Sequence, residues 1–402
     1  MRNSMKRAGL LASAAVAFGL AAPAFADDIK IGALMPLTGQ LQELTPPILN
    51  GAKLAVEEAN AAGGVMGNTV ILEVKDTQLN PTVANDAAQK LVSVDGAVAS
   101  VGPLASGITA AVANTVTINA KHPIVSPSAT APTITDLDDN DFVFRTTASD
   151  AYQGVALAQL MAEKGSNKVA VIFVNNDYGV GLAKSLEDAM ALTGGTVTGS
   201  AAYEPKATSY RGELSKLAEG GAEELVVVGY PADGGIDIVR QALEEGFFSK
   251  FVFTDGMKAQ GLIDNIGGAN LAGSYGTAPR GVETEASKGF AKMYSDKFGA
   301  DPSGPYIHNN YDAAMILMLA IEKAKSTDGT AIRDAMRAVA SAPGDIVGPG
   351  EFAKAKELIA AGKDINYEGA AGSQDFDQNG DVAGTFEHWE VEGDALVTVK
   401  IF

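Results

Sequence analysis

AVASVGPLASGITAAVANTV, residues Ala97–Val116, followed by HPIVSPSATAPT, residues His122–Thr133, carries two strand–loop–helix units in succession. In each, a short apolar run rich in β-branched residues ends in a turn of glycine, proline and serine. The first turn, Ala105-Ser106-Gly107, opens an alanine-rich helix at Ile108. A helix starting there points unpaired backbone N–H groups over the loop, backed by the positive end of its dipole. That arrangement suits a small anion. Ser106, Ser128 and Thr130 add hydroxyls that donate to an anion or accept from an ammonium, so the two loops together can hold a zwitterion. Serine, glycine and proline are also what ordinary turns are made of. The reading therefore gains weight only if the pattern recurs.

It does recur. Ile29–Met35 reads as a strand, followed by the loop Pro36-Leu37-Thr38-Gly39 and a helix over about Ile48–Asn60 that Gly63-Gly64 ends. Thr69–Lys75 reads as the next strand, and Pro81 opens the next helix. From Ala151 the alternation starts over, with strands at Val169–Val174, Leu225–Val228 and Phe251–Phe253. Their following loops are Asp177-Tyr178-Gly179, Gly229-Tyr230-Pro231 and Thr254-Asp255-Gly256. Strands alternating with helices in this way predict parallel sheets flanked by helices, and two runs of them predict an α/β protein of two Rossmann-like lobes. Ligands of such sheets sit beyond the carboxyl ends of the strands, where all these loops fall. Two lobes facing each other there leave a ligand cleft between them. Beyond the helices expected at 284–298, 309–324 and 330–340, the stretch from Pro343 to Phe402 reads as irregular, with late strands near 385–391 and 395–401.

Composition limits the functions open to this chain. Residues 1–26 have a basic start (Arg2, Lys6, Arg7), an apolar run from Ala8 to Ala22 and an Ala24-Phe25-Ala26 ending, and so read as a cleaved secretory signal peptide. Cleavage leaves 376 of the 402 residues, and losing the three basic residues takes the formal net charge from −19 to −22. So acidic a chain argues against nucleic acid or an anionic membrane as partner. The absence of cysteine removes disulfides, thiolate chemistry and a lipid-anchored N-terminus, pointing to a soluble periplasmic protein that is not a lipoprotein.

The loops, taken in order, resemble a type I periplasmic solute-binding protein of an ABC importer, of the leucine/isoleucine/valine-binding group. The residues that carry the resemblance are IKIGALMPLTG, GAKLAVEEANAAGGVMGN, VGPLASGIT, PIVSPSATAPTIT, FRTTASDAYQG, NDYGVGLA, GYPADGG and DPSGPYIHNNYDA, spread over nearly the whole mature chain. The resemblance implies a monomer that captures a small, aliphatic amino acid by hinge closure and delivers it to permease subunits, with no cofactor, no metal and no catalytic residue. It implies a carboxylate held by Ser106 and Thr130 with backbone from the Ser128–Ala129 loop, and an ammonium held by that loop, the Thr130 hydroxyl and Asp255. It implies that Tyr178 and Tyr230 close over the ligand, and that Leu44, Leu104, Ala105 and Tyr306 set specificity. It divides the chain into residues 27–147 with 279–345 and residues 148–278 with 346–402, joined by crossings near Thr147, Ala278 and Ile346. Leu44, Asp255 and Tyr306 depart from the branched-chain pattern, which has an aromatic, often a Glu, and a Phe there. A shorter acid must approach the ammonium more closely or through water, and a buried phenol needs a partner.

Other chemistry finds little support. Gly179-Val180-Gly181 follows a strand, but Lys184 stands where a dinucleotide fingerprint needs its third glycine. His122, His308 and His388 lie in unrelated segments without metal-ligand spacing. Asp375, Asp377, Asn379 and Asp381 around Gly380 look like the start of a calcium loop, yet Phe386 occupies the twelfth position, and a tight acidic turn is the expectation. The alternatives to an amino acid receptor are a receptor for another small carboxylate or amide, or a periplasmic enzyme. The enzyme would need a base or metal in the cleft, and Asp255 is the one candidate base.

Overall fold

A computed structural model describes residues 28–402; the expected signal peptide lies outside the described residues. The first sheet contains β1 (Ile29–Met35), β2 (Val70–Asp76), β3 (Ala99–Val101), β4 (Ile124–Ser126) and β5 (Val143–Arg145), in the order β2-β1-β3-β4-β5. All its pairings are parallel, with β1 and β2 in register from Ile29↔Val70 to Met35↔Asp76. The second sheet is built on β6 (Lys168–Val174), β7 (Thr196–Tyr203), β8 (Glu224–Val228), β9 (Phe251–Phe253) and β10 (Tyr275–Pro279), again parallel. A small third sheet holds β11 (Asp345–Val347), β12 (Ile365–Gly369) and β13 (Gly372–Ser373). The antiparallel strands β14 (Phe386–Glu392) and β15 (Ala395–Ile401) then extend the second sheet from the β10 edge. The central strands are continuous apolar runs because helices cover both faces of each sheet, which leaves no solvent face to make polar.

Each lobe has its own core. In the first, helix Ile307–Ala324 is buried on nearly every side, consistent with its unbroken run AAMILMLAI from Ala313 to Ile321. In the second, helices Asp150–Lys164 and Asp177–Thr193 pack together beside β6. Both helices are punctuated as their sequences require. Ser149 and Asn176 cap their N-termini through side-chain oxygens, and Gly165 and Gly194 end them in the left-handed conformation at φ 78° and 81°.

The tail departs from expectation. Its first part is not irregular and does not cross at Ile346: helix Phe352–Ala360 and the third sheet pack into the first core through Val347, Phe352, Ile359, Ile365, Tyr367 and Val382. Phe352, Ala355 and Ile359 share one helix face, and the Glu58 carboxylate fixes that helix's start by accepting from the backbone N–H of Phe352 at 2.9 Å and of Gly350 at 3.1 Å. Residues 346–382 therefore belong with the first lobe. The last crossing falls between Val382 and Phe386, where β14 enters the second sheet.

The crossings run side by side. Arg280 N–H donates to Thr385 O at 3.0 Å and Thr385 Oγ1 donates to Arg280 O at 2.5 Å, while Thr146 Oγ1 donates to Asn309 O at 2.8 Å. Two of the crossings are thus tied to each other at Arg280 and Thr385 by one backbone and one side-chain hydrogen bond, and the first is anchored through Thr146 to helix Ile307–Ala324.

Candidate functional site

The two loops singled out in the sequence are laced together by their own hydroxyls. Ser126 Oγ donates to Pro103 O at 2.6 Å, and Ser128 Oγ donates to Leu104 O at 2.8 Å. Ser106 Oγ accepts from Ala131 N–H at 3.1 Å, which leaves its own proton free to donate. Ser128 has spent its proton and offers a ligand only lone pairs. Ser106 opens the helix Ser106–Val112 immediately after the cap residue Ala105. Thr130 is buried beside Asp150, its hydroxyl toward that carboxylate and its carbonyl accepting from Asp150 N–H at 2.8 Å.

Behind the second loop stands Arg145, fully buried at the end of β5. Its Nε and Nη2 engage the Asp381 carboxylate at 2.6 and 2.7 Å. Nη1 donates to the carbonyls of Ala129 at 3.1 Å and Ala131 at 3.0 Å, and Nη2 also reaches Thr135 Oγ1 at 2.6 Å. The five donor hydrogens of the guanidinium thus have five uses, and they hold the hydroxyl loop from beneath. The acidic turn takes the expected form, with Asp377 Oδ1 accepting from the backbone N–H of Asn379 at 2.8 Å and of Asp381 at 3.0 Å. It also supplies a counter-ion that its sequence did not reveal.

From the other lobe, Tyr178 and Tyr230 stack with centroids 5.3 Å apart, and Asp255 follows β9. Asp255 Oδ1 accepts from Tyr178 OH at 2.8 Å and from Gln153 Nε2 at 3.1 Å; Oδ2 accepts from Tyr306 OH at 2.5 Å. The phenol of Tyr306 therefore finds its partner across the cleft. Burial pushes the Asp255 carboxyl above the usual carboxylate range, against the opposing pull of Tyr306, Tyr178 and Gln153. Burial and the neighbouring Asp255 push the phenols of Tyr178, Tyr230 and Tyr306 well up, so at neutral pH they act as uncharged donors.

These groups enclose a small cavity of about 30 Å³ lined by Leu41, Leu44, Ile48, Leu104, Ser106, Ser128, Tyr178, Tyr230, Asp255, Gly256 and Tyr306. Of the residues singled out in the sequence, Ala105, Ala129 and Thr130 do not line it. Ala129 and Thr130 are buried behind the loop, and Ala105 is the helix cap. Leu41, Ile48 and Gly256 join the wall unannounced. A signal for two of them was present, because Leu41, Leu44 and Ile48 at i, i+3 and i+7 follow one helical face leading into helix Thr45–Ala61. Gly256 is forced by space: a Cβ there would lie 2.4 Å from Gly229 O and 3.0 Å from the Tyr178 hydroxyl.

The histidines have other work. His122 is buried against Ser100 Oγ at 2.8 Å, its pKa lowered by burial to about 4, and the His308 ring packs 4.6 Å from Phe290. His388 is buried on β14, edge-on to Tyr275 at 6.1 Å. Among the described residues, no group of three or more His, Cys, Asp or Glu is placed to hold a metal ion.

Two parallel α/β lobes, crossed by paired strands and presenting the carboxyl ends of both sheets to one apolar cavity, define a two-lobed cleft-binding protein. The model of the family described as periplasmic binding protein matches residues 28–369, and the chain belongs to that family. It is 32% identical over 326 residues to the Leu/Ile/Val-binding protein homolog 3 of Brucella melitensis, covering 80% of this chain and 86% of that one. Among solved structures it is similar to the leucine-binding protein LivK of Thermotoga maritima, with TM-score 0.78, 25% identity and coverage of 93% and 98% of the two chains. It is also similar to LivJ of Streptococcus pneumoniae in complex with isoleucine, with TM-score 0.75, 25% identity and coverage of 93% and 99%.

Proposed function

We propose that this protein is the substrate-binding component of an amino acid ABC import system, a periplasmic monomer that captures a small aliphatic amino acid and hands it to membrane permease subunits. The observation that carries the reading is a single buried cavity with three kinds of wall: hydroxyl-bearing loops from one lobe, an acid from the other, and aliphatic side chains between them. Ser106 has a free proton for a ligand carboxylate at the start of a helix, where the dipole favours negative charge. Asp255 gives the ammonium an opposite charge in a site shielded from water, where the attraction is strongest. Leu41, Leu44, Ile48 and Leu104 suit an aliphatic side chain, and the stacked tyrosines cover it. The names of the relatives point the same way, toward leucine, isoleucine and valine. In this reading Ala129 and Thr130 shape the loop beside the cavity, Ala105 caps the helix that Ser106 opens, Tyr306 bounds the side-chain pocket, and the cleft does no chemistry.

A thermal-shift screen of the twenty amino acids against their α-hydroxy acid counterparts tests it. A ligand present at a hundred times its dissociation constant adds about 2.7 kcal/mol of stability, a readily measured rise in melting temperature. An aliphatic amino acid should give that rise and its hydroxy analogue should not. A rise with carboxylates lacking an amine, and none with any amino acid, would replace the amino acid with another small acid.

A further inference from the structure

Lys258 closes the short turn Asp255–Met257 that brings Asp255 to the cleft, its backbone N–H donating to Asp255 O at 3.1 Å. Its side chain does not run on to solvent. Only 6% of it is exposed, and its ammonium donates to the carboxylate of Glu387, 2% exposed, at the start of β14. The other Glu387 oxygen accepts from Thr398 Oγ1 on β15 at 2.5 Å and from Arg280 Nη1 at 3.4 Å. Arg280 stands on the crossing tied to Thr385, and the same Nη1 donates to Ser303 O at 3.3 Å. Ser303 lies between Tyr294 and Tyr306, both in the core of the first lobe, and the Tyr306 phenol bonds Asp255. These contacts make a ring, from Asp255 through Lys258, Glu387 and Arg280 to the Ser303 loop, and back through Tyr306.

Stability does not account for the buried pair. Two charges taken out of water gain little over two apolar side chains of the same volume. What an ion pair adds is direction, because its charge-assisted hydrogen bonds fix where each chain end sits. Direction is needed here, since chambers of about 400 and 390 Å³ flank the Ser303-Gly304-Pro305 loop, one bordered by Arg280 and Glu387 and the other by Lys258. Packing alone leaves that loop room to shift, and a binding group displaced by a fraction of an ångström loses its geometry. We infer that Glu387 is a positioning residue for ligand capture: through Lys258 it sets the turn that carries Asp255, and through Arg280 it ties that turn to the first-lobe loop that carries Tyr306. The inference rests on the cleft reading proposed above, and adds to it a support outside the cavity wall.

The test uses Lys258→Met combined with Glu387→Gln, which removes both charges at similar side-chain length, beside Glu387→Gln alone. Three quantities are read: melting temperature without ligand, hydrogen exchange of the 255–258 turn without ligand, and calorimetric affinity for L-leucine and L-alanine. The double variant should melt close to wild type, because no buried charge is left unpaired. Its turn should exchange about tenfold faster while β9 keeps its protection, and affinity for whichever amino acid wild type binds should fall about tenfold. Glu387→Gln alone should melt lower, with a buried ammonium left without its carboxylate. Arg280→Met should weaken binding yet leave the turn's exchange unchanged, since Lys258 keeps its partner. A double variant whose turn exchanges as in wild type overturns the inference, as does full affinity in the double variant or in Arg280→Met. So does a double variant that melts well below wild type with protection lost throughout, which would make the pair a structural prop. Wild-type protein that binds neither amino acid counts against the proposed function, and the exchange of the turn still decides this inference.

Discussion

Ser106 shows what single residues in this site have to do at once. Its oxygen accepts from Ala131 N–H and so ties one loop to the other, while its proton remains for a ligand. Ser106→Ala should therefore weaken amino acid binding by about 1.5–3 kcal/mol, the range for a hydrogen bond to a charged group. Losing the acceptor for Ala131 should cost the fold only about 1 kcal/mol. Calorimetry alongside a denaturant melt checks both, and unchanged affinity would move the carboxylate elsewhere. Ser106, Tyr178, Tyr230 and Asp255 were legible in sequence because each ends a recognisable apolar strand or opens the helix after it. Arg145 was not. It sits within the quoted block FRTTASDAYQG, but nothing local reveals its partner, which lies 236 residues away. Tyr306 illustrates the intermediate case: its phenol was known to need a partner, and only the approach of the second lobe reveals that the partner is Asp255.

At the scale of elements, the helix Asp177–Thr193 meets the first lobe through glycine. A Cβ added to Gly181 would lie 2.8 Å from Pro132 Cδ, and one added to Gly107 in the facing helix would lie 3.4 Å from the Asp177 carboxylate. Bare backbone there lets the lobes come together over the cavity. Gly181→Ala separates fold from closure, since alanine in a helix is favoured over glycine by about 1 kcal/mol. The variant should melt at or above the wild-type temperature without ligand yet bind more weakly, by about tenfold for a clash worth near 1.4 kcal/mol. Equal affinity would mean that Pro132 yields freely. The helices and parallel strands were readable from periodicity to within a few residues, as β1 and β9 show at both ends. The late strands β14 and β15 were readable too, but the first part of the tail was not, because the three-residue face Phe352, Ala355, Ile359 is shorter than the window over which helical periodicity stands out, and because glycines and prolines around it suggest loop.

For the whole molecule, closure is expected as a rotation about the crossings, two of which are tied at Arg280 and Thr385 while the first is anchored through Thr146 to helix Ile307–Ala324. Small-angle scattering should give a smaller radius of gyration once a binding amino acid is added. Identical profiles with and without ligand, at saturating concentration, would rule out hinge closure as the capture step.

The bond between Arg145 and Asp381 ties that architecture to the order in which the chain is made. Asp381 precedes only the final strand pair, and the loop it steadies through Arg145 was completed some 250 residues earlier in the sequence. Until the stretch that holds Asp381 is made, the first sheet lacks part of its core and its hydroxyl loop rests on an arginine whose charge is still unmatched. β14 and β15 reach the second sheet later still. The same last stretch thus supplies the first lobe's buried counter-ion and the second sheet's outer strands, so a chain cut before Asp381 should lose the support of both at once.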